Sequence, residues 1–135
     1  MSKPFTLEIV TPERAVFSGE VVSMSAPGVE GGFGVLAGHR PFMSALEMGL
    51  VELRDATGVE TSVSIGGGFL EVSENRVIVL ADSAELGAEI NLDRARASLA
   101  RAKELLTHPT GGIDLDRARR AARRAEARLR AARGK

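Results

Sequence analysis

The chain has 135 residues, 18 basic and 18 acidic side chains and no cysteine. This length suits one domain, or a domain of about 85 residues with an appendage too thin to bury its own core. The composition excludes a disulfide framework and a thiolate metal site. With no Trp or Tyr and five Phe, it also lacks the aromatic platforms that stack single-stranded nucleic acid. No apolar run reaches the roughly 18 residues that span a bilayer, and the first residues form no signal peptide, so we expect a soluble protein that is not exported.

Charge and sequence pattern both change near residues 85–95. Residues 1–90 carry 5 basic and 13 acidic side chains, a net charge of −8, whereas residues 91–135 carry 13 and 5, a net charge of +8. Short runs of β-branched residues precede this point, and an Ala/Arg/Leu pattern follows it. The change predicts two units, residues 1–84 and 85–135, whose opposite charges attract each other.

The first part of the chain is predicted to form short strands. Residues 5–11 alternate apolar and polar side chains and end at Pro12, as a half-buried strand does. Residues 14–18 and 21–26 repeat the pattern around Gly19-Glu20, which predicts a hairpin. Residues 27–34 are predicted to form a long glycine-rich turn, followed by a short strand at 33–36 and a loop at 37–41.

Five further strands are predicted, separated by turn residues. They lie at 42–48, 50–55, 60–65, 69–73 and 76–80, with turns at Gly49, Thr57-Gly58, Gly66-Gly67-Gly68 and Glu74-Asn75. Short strands joined in this way indicate an antiparallel β-sandwich or flattened barrel over residues 1–84. Because residues 77–80 are continuously apolar, we expect that strand to be central and buried on both faces.

The C-terminal unit is predicted to be an antiparallel hairpin of two helices. Apolar residues recur every three or four positions in each half, at Leu92, Ala95, Leu99, Ala102 and Leu106 and at Ala118, Ala122, Ala125, Leu129 and Ala132. Asn91 and Asp114 are the expected N-caps, and the break at residues 108–112 separates the helices. Since burial stabilises by about 0.8 kcal/mol per methylene, facing alanines contribute little, and the hairpin is expected to need a docking surface.

No catalytic or metal site is predicted. Residues 32–37 match the spelling of a dinucleotide-binding loop, but no helix follows them to receive a pyrophosphate. The two histidines, His39 and His108, have no carboxylate cluster at metal-ligand spacing. His39, in an exposed loop, is either a turn residue or a partner contact.

The second helix is rich in arginine, and three interpretations of it stay open. The arginines form a solvated face, bind an acidic protein surface, or bind nucleic acid, although no base-reading element accompanies them. A narrower hypothesis concerns spacing. Arg94 and Arg101 lie two turns apart on the first helix, and Arg124 and Arg128 lie one turn apart on the second. In an antiparallel hairpin these four guanidiniums could converge and hold a polyphosphate.

The whole chain resembles the epsilon subunits of bacterial F-type ATP synthases. The residues that carry the resemblance are Phe17-Ser-Gly19, Gly28-Val-Glu-Gly31 with Gly34, Gly38-His-Arg-Pro41, Gly67-Gly-Phe-Leu-Glu-Val72, Val79-Leu-Ala-Asp82 and Ile90-Asn-Leu-Asp-Arg-Ala95. The resemblance implies a β-sandwich followed by a helical hairpin. It also implies a noncatalytic rotor subunit of the central stalk, peripheral to the cytoplasmic face of the bacterial inner membrane.

The resemblance further implies partners for each unit. The sandwich would bind the gamma subunit and the c-ring, with Glu30, Gly31, Gly32 and His39 in the loops that match c-ring contacts. Gly32 stands where the family often has an acidic contact residue. The hairpin would be mobile and regulatory: folded on the sandwich it permits ATP hydrolysis, and extended into the catalytic head of alpha and beta subunits it inhibits.

Some family members also bind ATP on the folded hairpin, and the matching positions here form a predicted nucleotide site. These positions are Glu85, Ile90, Asn91, Arg94, Ala95, Arg101, Arg124 and Arg128, with Asn91 in place of the aspartate of the motif. No cofactor is required, and ATP is the expected regulatory ligand. The alternative from another class is a small binding module whose Arg-rich tail binds nucleic acid.

Overall fold

A computed structural model describes residues 3–109, 111–112 and 114–133. It contains eight strands followed by two helices, which confirms the predicted β-sandwich with a helical hairpin. The strands are β1 Phe5–Val10, β2 Ala15–Val21, β3 Ser23–Gly28, β4 Gly31–Val35, β5 Phe42–Arg54, β6 Glu60–Ser73, β7 Arg76–Ala81 and β8 Ala84–Leu86. A short 3₁₀ helix, Gly87–Glu89, leads to α1, Leu92–Thr107, and α2, Leu115–Arg133. Thr110, in the predicted break between the helices, lies outside the described residues.

The eight strands form one sheet that folds over a single core. The strand order is β2-β1-β7-β6-β5-β3-β4, and β8 pairs with β6. Neighbouring strands are antiparallel apart from β1 and β7, which run parallel. Val16 from one end strand and Val35 from the other belong to the same buried cluster. The two ends of the sheet must therefore face each other across the core, as in a sandwich.

Two of the predicted glycine turns prove to lie inside long strands. Gly49 lies within the 13-residue β5, and Gly66-Gly67-Gly68 lies within the 14-residue β6. Gly68 has a φ of +145°, and a side chain there would collide with the carbonyl oxygen of Leu80. Glycine thus allows β6 to bend while it pairs with β8 before the bend and β7 after it.

The predicted hairpin around Gly19-Glu20 is also wrong. Gly19 and Glu20 lie inside β2, where they pair with Leu7 and Thr6 of β1. The chain turns instead at Val29-Glu30, between β3 and β4, so the predicted long turn over residues 27–34 is mostly strand. Glycines fit in β4 because it is an edge strand with few side chains to pack.

Strand β7 occupies a central place in the sheet but is buried on only one face. Val77 and Val79 are 1% and 0% exposed, whereas Leu80 is 56% exposed. Buried and exposed side chains therefore alternate along β7 although its sequence is continuously apolar, and the expectation of burial on both faces is wrong.

Both predicted helix caps are present. The Asn91 side chain accepts a hydrogen bond from the backbone N–H of Arg94 at 3.0 Å, and Asp114 accepts one from Arg117 at 3.1 Å. The whole predicted stripe of α2 is buried. In α1 only Ala95 and Ala102 are buried, while the leucines of its predicted stripe are half-buried.

The hairpin packs on the sandwich through α2. Helix α2 contacts β5, β6, β8 and the 3₁₀ helix, and α1 packs on α2. A side chain at Gly87 would collide with the carbonyl oxygen of Ala131, so the backbone of the 3₁₀ helix, directly after β8, touches the backbone of α2 there. A small cluster of Ile90, Ala95, Leu129, Ala131 and Ala132 lies beside this contact. The structure thus holds the hairpin in its folded position.

Candidate functional site

A groove lined by arginines runs between the two helices. Its volume is about 600 Å³, and its basic residues are Arg101 from α1 and Arg117, Arg124 and Arg128 from α2. We call this cavity, with its four arginines, the arginine groove. They include three of the four arginines that the sequence singled out for a polyphosphate. An antiparallel hairpin places them together because residues three, four and seven apart share a helix face.

The groove arginines differ in how many of their donors are already engaged. Arg128 donates from Nε to Oε1 of Glu85 at 2.7 Å and from Nη2 to Oε2 at 3.2 Å. Arg101 donates to the hydroxyl of Ser98 at 3.1 Å. Among the described residues, Arg117 and Arg124 form no ion pair with a carboxylate. Their guanidinium groups can therefore bind an anion without breaking an existing pair.

The remaining predicted nucleotide-site residues lie at the base of α1, away from the groove lining. Ile90 and Ala95 are 8% and 0% exposed and belong to the small cluster beneath the hairpin. The Asn91 side chain caps the helix, and Arg94 is exposed and does not line the groove. The predicted residues thus divide into three groove arginines, Glu85 of β8, which holds one of them, and a group at the start of α1.

A smaller cleft continues from the groove to the edge of the sandwich. It has a volume of about 200 Å³, and its polar lining residues are Ser64, Ser83, Glu85, Arg124 and Arg128. Arg124 and Arg128 line both cavities, so one pair of side chains connects the helix pair with the sandwich.

Arg117, Ser64 and Ser83 are not among the site residues predicted from the sequence. Arg117 lies seven residues before Arg124, two turns along one helix face, so the spacing rule that selected the other arginines applies to it as well. Ser64 and Ser83 come from segments 19 positions apart, brought together by the pairing of β6 with the segment leading into β8. No local pattern marks them.

Ion pairs join the acidic sandwich to the basic hairpin. Arg128 and Glu85 are 2.7 Å apart, with side-chain exposures of 21% and 40%. Arg123 and Glu47 are 3.5 Å apart and more exposed, at 55% and 49%. The expected attraction between the two charged units is therefore realised in specific contacts.

A third pair fixes the 3₁₀ helix between the units. Nη2 of Arg14 lies 2.8 Å from Oε1 of Glu89. The hydrogen bond from Arg14 lowers the pKa of Glu89 below its ordinary value, and the same bond raises the pKa of Arg14. The carboxylate of Glu89 stays charged over a wider pH range than that of a free glutamate.

The residues predicted to contact the c-ring lie in two exposed segments. Glu30, Gly31 and Gly32 form the β3–β4 turn and the start of β4, and His39 lies in the loop over residues 36–41. The ring of Phe42 connects these segments, since its centroid is 5.2 Å from that of Phe33 in β4 and 5.6 Å from that of His39. We call the two segments together the loop surface.

The loop surface also exposes apolar side chains. Val29, next to Glu30, is 54% exposed, and Leu36, at the start of the His39 loop, is 62% exposed. Exposed apolar groups of this size beside polar ones are typical of a protein-binding surface. All four predicted contact residues therefore lie in segments that also expose apolar side chains.

Two further findings concern the described residues as a whole. None of their helices is long and apolar enough to cross a membrane. They contain no group of three or more His, Asp or Glu side chains that could hold a metal ion.

Comparisons with known proteins agree across both units. Residues 4–87 match the family described as "ATP synthase, Delta/Epsilon chain, beta-sandwich domain", and residues 88–133 match "ATP synthase, Delta/Epsilon chain, long alpha-helix domain". The chain is 50% identical to an ATP synthase epsilon chain of Anaeromyxobacter sp. (strain K) over 92% of this chain and 94% of that protein. It is 43% identical to one of Syntrophomonas wolfei over 94% and 93%.

Solved structures share the fold. A chain of the mitochondrial ATP synthase of Euglena gracilis, determined with OSCP, F1 and the c-ring, matches with a TM-score of 0.80 and 22% identity, covering 92% of this chain and 78% of that one. A chain from the central stalk and c-ring of the Tetrahymena thermophila enzyme matches with a TM-score of 0.56 and 13% identity, covering 96% and 94%. With two domain families matched in order over nearly its whole length, this chain belongs to the family of ATP synthase delta/epsilon chains.

Proposed function

We propose that this chain is a noncatalytic subunit of the central stalk in a bacterial F-type ATP synthase, where it joins the gamma subunit to the c-ring. The observation that carries the proposal is the ordered match of both family domains over residues 4–133. The subunit would lie on the cytoplasmic face of the inner membrane, attached through its partners. Its role is to transmit rotation between the membrane ring and the stalk during proton-driven ATP synthesis.

Two surfaces of the sandwich support two protein partners. The loop surface, with Glu30, Gly31, Gly32 and His39, is assigned to the c-ring. A second surface is a row of apolar side chains across four neighbouring strands, namely Val10, Leu80, Phe69 and Ala45. Phe69 and Leu80 in this row are 59% and 56% exposed, so the row suits docking of the gamma subunit.

Copurification tests this assignment. The full chain, expressed with the gamma subunit and c-ring of the same organism, is expected to copurify with both. Phe69→Ser is expected to weaken gamma binding while the isolated chain stays folded, because Phe69 faces solvent. Salt-sensitive binding of nucleic acid, without retention of gamma or the c-ring, would favour the alternative of a nucleic-acid-binding module.

We also propose that the arginine groove binds ATP as a regulatory ligand. A volume of about 600 Å³ lies within the range of small-molecule sites, roughly 300–1,000 Å³. Arg117 and Arg124, which pair with no carboxylate among the described residues, supply bidentate donors for phosphate oxygens, and Arg101 and Arg128 add positive charge beside them. Asn91 lacks the charge of the aspartate in the family motif, but it caps α1 and so keeps the start of the helix in place.

Calorimetric titration of ATP into the isolated chain tests the groove. Saturable binding is expected, and Arg124→Ala combined with Arg128→Ala should abolish it. Arg120→Ala is the matched control, because Arg120 is an exposed arginine of α2 outside the groove. Absence of saturable binding at millimolar ATP, or equal binding by the double variant, would contradict the site.

The hairpin is proposed to regulate hydrolysis by leaving the sandwich. Its alanine-rich packing and few ion pairs to the sandwich support an element that can undock. Deletion of residues 91–135 removes both helices but keeps β8, which is paired with β6. We expect the assembled enzyme carrying this deletion to hydrolyse ATP faster wherever the intact enzyme is restrained. An unchanged rate under those conditions would argue against inhibition.

A further inference from the structure

Asn75 lies in the tight turn between β6 and β7 and connects three segments of the chain. Its side-chain Oδ1 accepts a hydrogen bond from the backbone N–H of Gly38 at 3.0 Å, and its Nδ2 donates to the carbonyl oxygen of Pro4 at 3.0 Å. Its own carbonyl oxygen accepts from the N–H of Thr6 at 3.2 Å. One residue thus holds the His39 loop and the start of β1 at the end of the sheet.

The orientation of the Asn75 amide is determined by these neighbours. The N–H of Gly38 requires an acceptor and the carbonyl of Pro4 requires a donor, and an asparagine side chain offers one of each. If the amide were rotated by 180°, its NH₂ group would face the N–H of Gly38 and its oxygen would face the carbonyl oxygen of Pro4, so neither hydrogen bond could form. An aspartate could accept from Gly38 but could not donate to Pro4, and a glycine could do neither.

The Gly38 hydrogen bond acts directly on the loop that carries His39. Gly38 has a φ of +80°, which favours glycine, and the N–H of His39 closes a turn onto the carbonyl of Leu36 at 3.2 Å. The His39 ring in turn rests against Phe42. The bond from Asn75 therefore fixes the loop at its middle, one residue before His39.

We propose that Asn75 is a positioning residue for partner docking: it holds the His39 loop in the shape that the partner binds, without touching the partner itself. The proposal rests on the proposed contact between the loop surface and the c-ring. A purely local alternative exists, since Asn75 has a φ of +62° and asparagine is favoured at such positions. That alternative predicts that glycine serves equally well at position 75, whereas positioning predicts that it does not.

The experiment compares three variants of the full chain. Asn75→Gly keeps the backbone freedom and removes both side-chain bonds, whereas Asn75→Asp keeps the acceptor for Gly38. Glu74→Gly is the matched control, because Glu74 is the other turn residue with positive φ, at 52°, and its side chain makes no hydrogen bond within the described residues. Two quantities are measured: hydrogen exchange of the Gly38 amide in the isolated chain, and affinity for the purified complex of gamma with the c-ring.

Asn75→Gly is expected to speed hydrogen exchange of the Gly38 amide and to weaken binding to the complex of gamma with the c-ring, each about tenfold. A change of this size is expected when one or two hydrogen bonds are lost. Asn75→Asp should retain most of the protection and of the affinity, and Glu74→Gly should resemble the unmodified chain. Unchanged exchange or unchanged affinity in Asn75→Gly would overturn the proposal.

A parallel measurement of His39→Ala separates this proposal from the proposed function. If His39→Ala weakens rotor binding and Asn75→Gly does not, the loop is a contact and only the positioning role of Asn75 is wrong. If neither substitution weakens binding although Asn75→Gly frees the Gly38 amide, the assignment of the loop surface to the c-ring is wrong, and the positioning role is overturned with it.

Discussion

The sandwich and the hairpin bury different kinds of side chain. The sandwich core is a continuous cluster dominated by large residues such as Leu7, Ile9 and Ile65. The cluster under the hairpin has five buried residues, three of them alanine. Because an alanine buries only one methyl group, the hairpin gains far less from burial than the sandwich does. One chain thus combines a unit with a large continuous core and a unit that buries little apolar surface of its own.

The contacts that dock the hairpin are correspondingly local. Beside the small apolar cluster, they include the backbone contact of Gly87 with Ala131 and the ion pairs of Arg128 with Glu85 and Arg123 with Glu47. Exposed or half-exposed pairs contribute little, typically under about 1 kcal/mol each. A docking energy made of a few small terms can be overcome by a competing partner, which a switch between two positions requires.

The largest expected effect comes from the sandwich core. Leu70 on β6 is 1% exposed, and Leu70→Ala is expected to lower the free energy of unfolding by about 3 kcal/mol through a cavity. Leu99→Ala, at a half-buried position of α1, is the comparison and should change sandwich unfolding little. Urea denaturation measures both. Equal losses would mean that the two units unfold together, which would contradict the difference in core packing between sandwich and hairpin.

A smaller effect is expected at the point where the two backbones touch. Gly87→Ala inserts a methyl group against the carbonyl of Ala131, and overpacking of this kind costs about 1–3 kcal/mol. We expect the hairpin to undock while the sandwich stays folded. The chain has no cysteine, so two introduced cysteines can carry labels that report the distance between α2 and the sandwich. Gly111→Ala is the control, because a methyl group there meets nothing within 4 Å.

Removing the principal ion pair should have a weaker effect. Glu85→Gln takes away the charge that holds Arg128, and we expect a loss of docking energy of about 0.5–1 kcal/mol. Glu47→Gln is expected to have less effect, since its pair with Arg123 is longer and more exposed. The same distance measurement, at low and high salt, tests this order. A larger loss for Glu47→Gln would contradict the ranking of the Glu85–Arg128 pair as the stronger of the two ion pairs.

The smallest effect concerns pH. The hydrogen bond from Arg14 lowers the pKa of Glu89 in the folded state, whereas the unfolded value is near 4.5. Stability from this pair is therefore complete above about pH 4.5 and is lost as the pH falls through the lower folded-state pKa. We expect amide protection of the 3₁₀ helix to decline in that acidic range.

The variant Arg14→Ala and the carboxylate of Asp55 serve as controls for the pH test. Arg14→Ala should flatten the acidic decline, because Glu89 then loses its partner; an identical decline in the variant would exclude this pair as the cause. Asp55 also has a lowered pKa, chiefly through a hydrogen bond from the Thr57 hydroxyl in the β5–β6 turn. Its titration should affect unfolding of the sandwich and leave docking unchanged.

Much of the fold could be predicted from local sequence. The caps Asn91 and Asp114 act within three residues of themselves, and the α2 stripe depends only on helical periodicity. The wrong predictions of strand ends share a different cause. Whether Gly19, Gly49 or Gly68 ends a strand depends on which distant strand lies beside it, and no neighbouring residue carries that information. The apolar run of β7 shows the same limit, because burial of its second face depends on what covers the sheet.

The candidate site likewise has features that local sequence predicts and features that depend on distant contacts. Helical spacing selected Arg101, Arg124 and Arg128, and it could also have selected Arg117. It could not show that Arg94 lies outside the groove or that Glu85 holds Arg128 across 43 positions of sequence.

The sequence by itself determined the two units, their opposite charges, the helix caps and the family, because each depends on residue type or on spacing within a few positions. The tertiary structure alone decided the strand order, the bend in β6, the docked position of the hairpin and the sharing of Arg128 between groove and sandwich. These depend on contacts between residues far apart in the chain, and such contacts exist only once the sheet has closed over its core.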